Sequence, residues 1–444
     1  MLKDDVIGKI GTWWILGREQ QTFYGQLKEK QGKLCLVSEV VDPDLYQILC
    51  QKENFILQGQ VEINKVTLRQ SNLCPCCLQE ISNEIASYGI AVNFSEWFIG
   101  NEWIPEMVLV KSAYVKYEEM GTWFLQKSYK DHFPFMQDGT LLSFEQHNPL
   151  TFSLDGFDLQ FDFGLSYRSS EWDYIQYTNL INTVFFPKQS SLHELCQKID
   201  GFSQLLSLFQ GGEVDFSSMI LETSAGFNGE YHRNGSATSL EPQEFWLTYP
   251  QVAACFDEVL KKWFDLAEQA DPILAILMQA LFLTKQNTRD FLTVVQALEL
   301  SSHYFRRKEA EEYAKSTSDL LEDEEVPVER YHKIYDLLRL CQPALGFSEI
   351  ELWKLANKIA TGYEYYLHYD ADRRYDALSE GQIKALVSFC QAVLRLLLLR
   401  EVGVPDAVLQ EHTQAHIANN HALVYRYLLK KPQIASSKAL QKGL

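Results

Sequence analysis

The N-terminal part of the chain lacks the short motifs that mark many enzymes. It contains no G-x-S-x-G nucleophile turn, no glycine-rich phosphate-binding loop and no helix with metal-ligand spacing. The whole chain has no internal repeat of solenoid period. No apolar run reaches the roughly 18 to 20 residues of a membrane span, and the first residues lack the apolar core of a secretory signal. We therefore expect a cytoplasmic protein that needs no cofactor and no membrane.

Cysteines are few and unevenly spread. Nine of them, an odd number, suit a reducing compartment better than a disulfide framework. Cys74 and Cys77 have a spacing that can direct two thiolates toward one zinc ion. Tetrahedral zinc needs four ligands, and no second C-x-x-C occurs, so reduced cysteines in a hairpin are the simpler interpretation.

The negative charge is confined to one part of the chain. Residues 271–444 hold 21 Lys and Arg against 23 Asp and Glu, while the first 270 residues hold 19 against 36. Nearly all of the net charge of −19 therefore lies in the N-terminal part. Such a surface repels phosphate backbones, because affinity for nucleic acid comes largely from Lys and Arg displacing counterions. Any RNA contact is expected in the C-terminal part.

Two kinds of pattern divide the chain into a β-rich domain, residues 1–250, and an all-α domain, residues 251–444. Alternating and short apolar runs between turn residues predict a β-sandwich or open barrel first. A helix at 192–209 and an exposed loop at 224–239 follow the strands. The predicted strands are 11–16, 33–37, 55–61, 91–94, 142–144 and 159–163.

Apolar residues with a period of 3.6 predict a bundle of helices from Pro250 onward. Asn287 is a plausible N-cap for the third of them. The predicted helices are 252–270, 272–282, 288–307, 328–340, 349–369 and 380–400. The fold class is therefore α+β with separate domains.

Three segments of the helical part stand out by their order and spacing: F-L-T-V-V-Q-A-L-E-L at 291–300, L-W-K-L-A-N-K-I-A-T-G-Y-E-Y-Y-L-H-Y-D at 352–370 and L-L-L-L-R-E-V-G-V-P at 396–405. Together they resemble the HEPN superfamily and, within it, the ApeA-like branch. The resemblance covers roughly residues 275 to 410. The β-rich part, which opens with G-T-W-W-I-L-G, is similar to the domain that precedes the HEPN unit in ApeA proteins.

The resemblance implies a function in anti-phage defence by abortive infection. It implies metal-independent RNA cleavage by a homodimer of HEPN domains, in which an R-x-x-x-x-H motif from each copy lines a shared cleft. A tRNA is the expected target, and a phage protein sensed by the N-terminal domain is the expected trigger. The histidine would move protons and the arginine would hold the scissile phosphate.

The motif is altered in this chain. His368 occupies the histidine position, but Tyr363 stands where the arginine is expected, followed by Glu364. No arginine anywhere in the chain is followed five residues later by histidine. Tyrosine carries no charge at neutral pH, so a cation would have to come from elsewhere. The candidates for RNA contact are Arg306, Arg307, Arg373 and Arg374.

Glu299 is a further candidate for the catalytic site. It lies four residues before His303 and so shares a helix face with it, although a surface ion pair is the simpler explanation of the spacing. Arg306 and Arg307 close the same helix, where cations also favour the helix dipole.

Three interpretations of the helical part remain open. It is an RNA-cleaving HEPN domain with a relocated cation, a HEPN domain that dimerises and binds RNA or a partner protein without cleavage, or a plain structural bundle. In the last case His368 is expected to be buried, with its ring nitrogens satisfied inside the chain. In the first, the two copies of His368 in a symmetric dimer are expected to face a common cleft, with Arg306, Arg373 or Arg374 within reach of a phosphate. In the second, the cleft is expected without that cation.

Overall fold

The computed structural model describes residues 2–429 except for 31–32, 41, 52–53, 74–78, 81–87, 125–128, 132–147, 170–174, 189, 235–243, 306–327 and 370. These residues form two compact units that interleave along the chain. Unit 1 comprises Met1–Thr122, Gln126–Ser203 and Val214–Pro242. Unit 2 comprises Trp123–Leu125, Gln204–Glu213 and Gln243–Leu444. The two-domain division at residue 250 stays a prediction.

Unit 1 is built on β-strands, as its alternating apolar pattern predicts. The strands are β1 Ile10–Ile15, β2 Phe23–Lys30, β3 Lys33–Val40, β4 Phe55–Val61, β5 Asn64–Leu73, β6 Gln79–Glu80, β7 Tyr88–Asn93, β8 Glu96–Gly100, β9 Val110–Lys116, β10 Tyr129–Asp131, β11 Leu150–Leu154, β12 Phe157–Ser169, β13 Ile175–Pro187, β14 Ser218–Thr223 and β15 Asn228–Arg233. Helices in this part of the sequence are α1 Leu2–Val6, α2 Pro43–Gln51, α3 Met120–Trp123 and α4 Leu192–Gln210.

Six of the strands close into a barrel. They are hydrogen-bonded in the order β5, β4, β1, β2, β3 and β7, and the pairing of β7 with β5 completes the ring. The sheet then continues outward from β5 through β8, β15, β14, β9, β13, β12 and β11. The β-rich fold expected from the sequence is confirmed, with a barrel that is closed by pairing rather than open.

The barrel interior is filled by apolar side chains. Trp13, Leu57 and Val92 are fully buried members of one hydrophobic cluster. A Cβ atom at Gly59 would overlap the Trp13 ring, so glycine allows the indole to lie directly against β4. The indole nitrogen of Trp13 donates a hydrogen bond of 3.1 Å to the carbonyl oxygen of Gly25.

The prediction of an exposed loop at 224–239 is wrong in part, because this stretch contains β15. Gly, Asn and Ser make this stretch resemble a loop, but it pairs with β14 on one side and β8 on the other. Tyr231 is fully buried, and Arg233 donates a hydrogen bond of 2.6 Å to Asp200. The strand predicted at 142–144 lies outside the described residues.

Unit 2 is helical. Its helices are α5 Tyr249–Val252, α6 Phe256–Gln269, α7 Asp271–Leu281, α8 Thr288–Phe305, α9 Val328–Leu340, α10 Gln342–Leu345, α11 Glu349–His368, α12 Glu380–Glu401, α13 Asp406–His412 and α14 Gln414–Val424, with a 3-10 turn at Ala371–Asp376 and a π-helical turn at Tyr425–Leu429. The predicted N-cap is confirmed, since the Asn287 side chain accepts a hydrogen bond from the Asp290 N–H at 3.0 Å.

Helix α12 runs through the core of unit 2. Its apolar residues face all round the helix, and it packs against α7, α8, α9 and α14. By length and composition it could cross a membrane, although no segment of the sequence was predicted to be apolar over that length. Its most apolar window is 78% buried inside the structure, as is usual for a core helix.

Arg395 of α12 is a buried cation held by carbonyl groups. Its guanidinium donates hydrogen bonds to the oxygens of Ser207, at 3.0 Å, and Leu208, at 2.6 Å. These carbonyls belong to the last turn of α4, and the Ser207 oxygen also accepts a hydrogen bond of 3.0 Å from the N–H of Gly211, just beyond the helix. The guanidinium also lies over the rings of Trp246 and Phe282, and burial lowers its pKa. Arg395 therefore closes the end of α4 inside the core.

Replacing Arg395 by alanine is expected to lower the free energy of unfolding by about 3 kcal/mol, because two buried carbonyls lose a charged donor. Arg395→Met should cost less, since it keeps most of the volume. Urea unfolding followed by far-ultraviolet circular dichroism measures both. The exposed Arg374→Ala is the control and should change stability by less than about 0.5 kcal/mol. Equal effects of Arg395→Ala and Arg374→Ala would contradict this role.

Candidate active site

His368 lies in the last turn of α11 and faces solvent. The helix starts at a capping box, in which Ser348 and Glu351 satisfy each other's backbone N–H groups. It ends at Tyr369, whose backbone is left-handed (φ 51°) and whose N–H donates to the Tyr365 carbonyl oxygen at 2.7 Å. The His368 side chain is 65% exposed. The interpretation of a buried structural histidine is therefore wrong.

Glu364 lies one turn before His368 and contacts it. The distance from His368 Nε2 to Glu364 Oε2 is 3.4 Å, and the Glu364 side chain is only 13% exposed. A nearly buried carboxylate beside one ring nitrogen favours the tautomer that carries its proton on Nε2. Nδ1 is then the nitrogen that can exchange a proton with a bound molecule.

Arg330, in the first turn of α9, completes the group from a neighbouring helix. Helices α9 and α11 pack against each other, and the guanidinium of Arg330 forms ion pairs with Glu364 on α11 and Glu299 on α8. Its central carbon lies 4.5 Å from the ring centre of Tyr363, an ordinary cation–π distance. Side-chain exposure is 24% for Arg330 and 25% for Glu299. We call Glu299, Arg330, Tyr363, Glu364 and His368 the His368 cluster.

The His368 cluster combines a proton-transfer group with a fixed cation. The imidazole is accessible, and its position is set by Glu364. The guanidinium is fixed between two carboxylates and an aromatic ring, so its direction is defined before any ligand arrives. Two carboxylates outnumber one guanidinium, however, and the cluster is acidic when His368 is neutral. The ion pairs use Nε of Arg330 for Glu299 and Nη1 for Glu364, so an anion that binds two N–H groups side by side competes with one of the carboxylates.

Residues 292–408 match the family model of Apea-like HEPN domains. This part of the chain is an Apea-like HEPN domain. The match begins inside α8, ends inside α13 and includes every residue of the His368 cluster. A comparison with curated proteins found no match, and neither did a comparison with solved structures.

Four residues selected from the sequence meet in the HEPN domain. Tyr363, Glu364 and His368 lie on one helix, and Glu299 joins them through Arg330. The side chain of Tyr363 is 3% exposed and offers its ring face to the cation. The spacing of Glu299 and His303 had indicated a pair of those two, but Glu299 is bound to Arg330.

Among the described residues, the cation of the His368 cluster is Arg330 and not an arginine proposed from the sequence. Arg374 is exposed on the 3-10 turn Ala371–Asp376, and no contact described in the structure joins it to His368. Side chains that lie outside the described residues are those of Arg306, Arg307, Arg373, Cys74 and Cys77. Within the described residues, no group of three or more His, Cys, Asp or Glu side chains is arranged to hold a metal ion.

Arg330 was missed because no local pattern marks it. It precedes Tyr363 by more than thirty positions, and a segment outside the described residues lies directly before its helix. Only the packing of α9 against α11 places its side chain over Tyr363. A sequence search restricted to the spacing between arginine and histidine cannot find such a pair.

The contact between Tyr363 and Arg330 predicts a defined coupling energy. Tyr363→Phe keeps the ring face and should change the free energy of unfolding by less than about 0.5 kcal/mol. Tyr363→Leu loses the cation–π contact together with packing. A double-mutant cycle that combines Tyr363→Leu with Arg330→Met should give a coupling energy of about 1 kcal/mol between the two residues. Urea unfolding of the four proteins measures it, and strictly additive effects would show that the ring does not hold the guanidinium.

Proposed function

We propose that this protein is an anti-phage defence protein whose HEPN domain cleaves RNA without a metal ion. The observation that carries the proposal is the exposed imidazole of His368, oriented by a nearly buried carboxylate at 3.4 Å. The match of residues 292–408 to Apea-like HEPN domains supports the link to defence. An accessible imidazole held in this way can act as a general acid or base.

The proposed reaction is a transesterification. The 2′-oxygen of RNA attacks the adjacent phosphorus, the bond from phosphorus to the 5′-oxygen breaks, and a cyclic phosphate and a free 5′-hydroxyl result. His368 takes the proton of the 2′-hydroxyl or gives one to the departing 5′-oxygen. Glu364 acts through His368 as a positioning residue, because it contacts the imidazole at the nitrogen opposite to the one that exchanges the proton.

His368→Ala is expected to slow RNA cleavage at least about a hundredfold, the usual contribution of a general acid or base. The measurement uses purified protein with total cellular RNA in EDTA and maps the ends of the fragments. Fragments from the wild-type protein should carry 5′-hydroxyl ends, which separates this reaction from contaminating metal-dependent nucleases. His303→Ala removes another exposed histidine from the same domain and should cut like wild type.

Cleavage by His368→Ala at the wild-type rate would exclude this histidine from the reaction. If neither protein cuts RNA, even after addition of a lysate from phage-infected cells, the alternative function replaces this one. In that alternative the HEPN domain dimerises and binds RNA or a partner protein without cleaving. Its support is the double ion pair of Arg330, which leaves the His368 cluster acidic.

The proposal extends to target, assembly and trigger. A tRNA as target and a homodimer through the HEPN domain follow from the resemblance, and light scattering of the purified protein tests the dimer. The N-terminal part is proposed to sense a phage protein, since 36 acidic against 19 basic residues favour a protein partner over nucleic acid. RNA cleavage that is equally fast with lysates of infected and uninfected cells would contradict a phage trigger.

A further inference from the structure

Arg330 is the one cation that the described structure fixes within the His368 cluster. We propose that Arg330 binds the scissile phosphate of RNA in place of the missing motif arginine, and that Glu299 restrains Arg330 until RNA displaces it. This inference rests on the proposed RNA cleavage and names the phosphate-binding residue of that site.

The position of Arg330 is the first argument. Its guanidinium lies over the ring of Tyr363, which is the residue that stands at the arginine position of the motif. Glu364 contacts both Arg330 and His368, so a single carboxylate separates the cation from the proton-transfer group. Helix α9 thus places a positive charge next to position 363, where the motif residue of this chain is an uncharged tyrosine.

The geometry of the guanidinium is the second argument. A planar guanidinium binds two oxygens of a phosphate side by side and stacks on aromatic rings, which a lysine cannot do equally well. Arg330 is held on its face by Tyr363 and at its edge by carboxylates. No described contact orients the exposed Arg374 in a comparable way, although it follows His368 closely in sequence.

The restraint follows from competition for the same donors. A phosphate that binds the guanidinium side by side uses Nε with Nη2 or Nη1 with Nη2, and Nε and Nη1 are the nitrogens that face Glu299 and Glu364. Such a phosphate therefore competes with one of the two carboxylates. Glu364 also holds His368, and its side chain is 13% exposed. Glu299 has no such second role among the described contacts, comes from the separate helix α8 and is 25% exposed. Glu299 is therefore the carboxylate that gives way.

Binding of RNA by variants that cannot cut tests the phosphate-binding role. In a His368→Ala background with EDTA, fluorescence anisotropy of a labelled, mixed-sequence RNA oligonucleotide gives the Kd at several salt concentrations. Arg330→Ala should weaken binding about tenfold and reduce the salt slope by about 0.7, the value for one lost phosphate contact on a single strand. Arg339→Ala, which removes an exposed cation from the same helix, should do neither.

A double-mutant cycle tests the restraint. Glu299→Gln keeps the size of the side chain and removes its charge, so it should tighten RNA binding about threefold to tenfold. The gain should vanish when Arg330→Ala is present, because Glu299 is proposed to act through Arg330. Glu349→Gln, an exposed charge removed at the start of α11, is the matched control and should leave Kd nearly unchanged.

Three outcomes would overturn the inference. Arg330→Ala could bind RNA like its parent while retaining the same circular dichroism spectrum, which would exclude a phosphate contact. Glu299→Gln could give the same gain with and without Arg330, which would make it a general surface effect. RNA binding could also be absent from every variant including wild type, which would remove the proposed function as well. If wild type binds RNA without cutting it, a loss in Arg330→Ala still supports the contact.

Discussion

Burial of α12 is the constraint on which the arrangement of unit 2 depends. This helix is apolar around its whole circumference, so it becomes stable only when other helices cover all of its faces. Helices α8 and α9 pack on it and also on α11. Glu299, Arg330 and Glu364 therefore project from three helices that fix one another. A site built on packed helices keeps its geometry better than one built on loops.

Elements were predicted with correct bounds where the apolar pattern and the residues at the ends of the element indicate the same limits. Strand β4 has the predicted bounds of 55–61, and α11 starts where Ser348 and Glu351 form a capping box. Strand β15 was not predicted, because glycine and asparagine are poor strand formers and its stability comes from two neighbouring strands. The cluster residues on α8 and α11 were selected from the sequence, but Arg330 was not, since its position depends on packing between helices.

The His368 cluster shows a conflict between stability and binding of an anion. The two carboxylates neutralise a partly buried guanidinium, which would otherwise be costly to desolvate. The same carboxylates oppose the approach of phosphate. Glu364 contacts both the guanidinium of Arg330 and the imidazole of His368. A site of this kind is stable when no anion is bound.

The stacking of Arg330 on Tyr363 also has a consequence for how this domain can evolve. An arginine at position 363 would bring a second positive charge against the guanidinium of Arg330, and the two would repel each other. The two positions are therefore expected to covary among homologues.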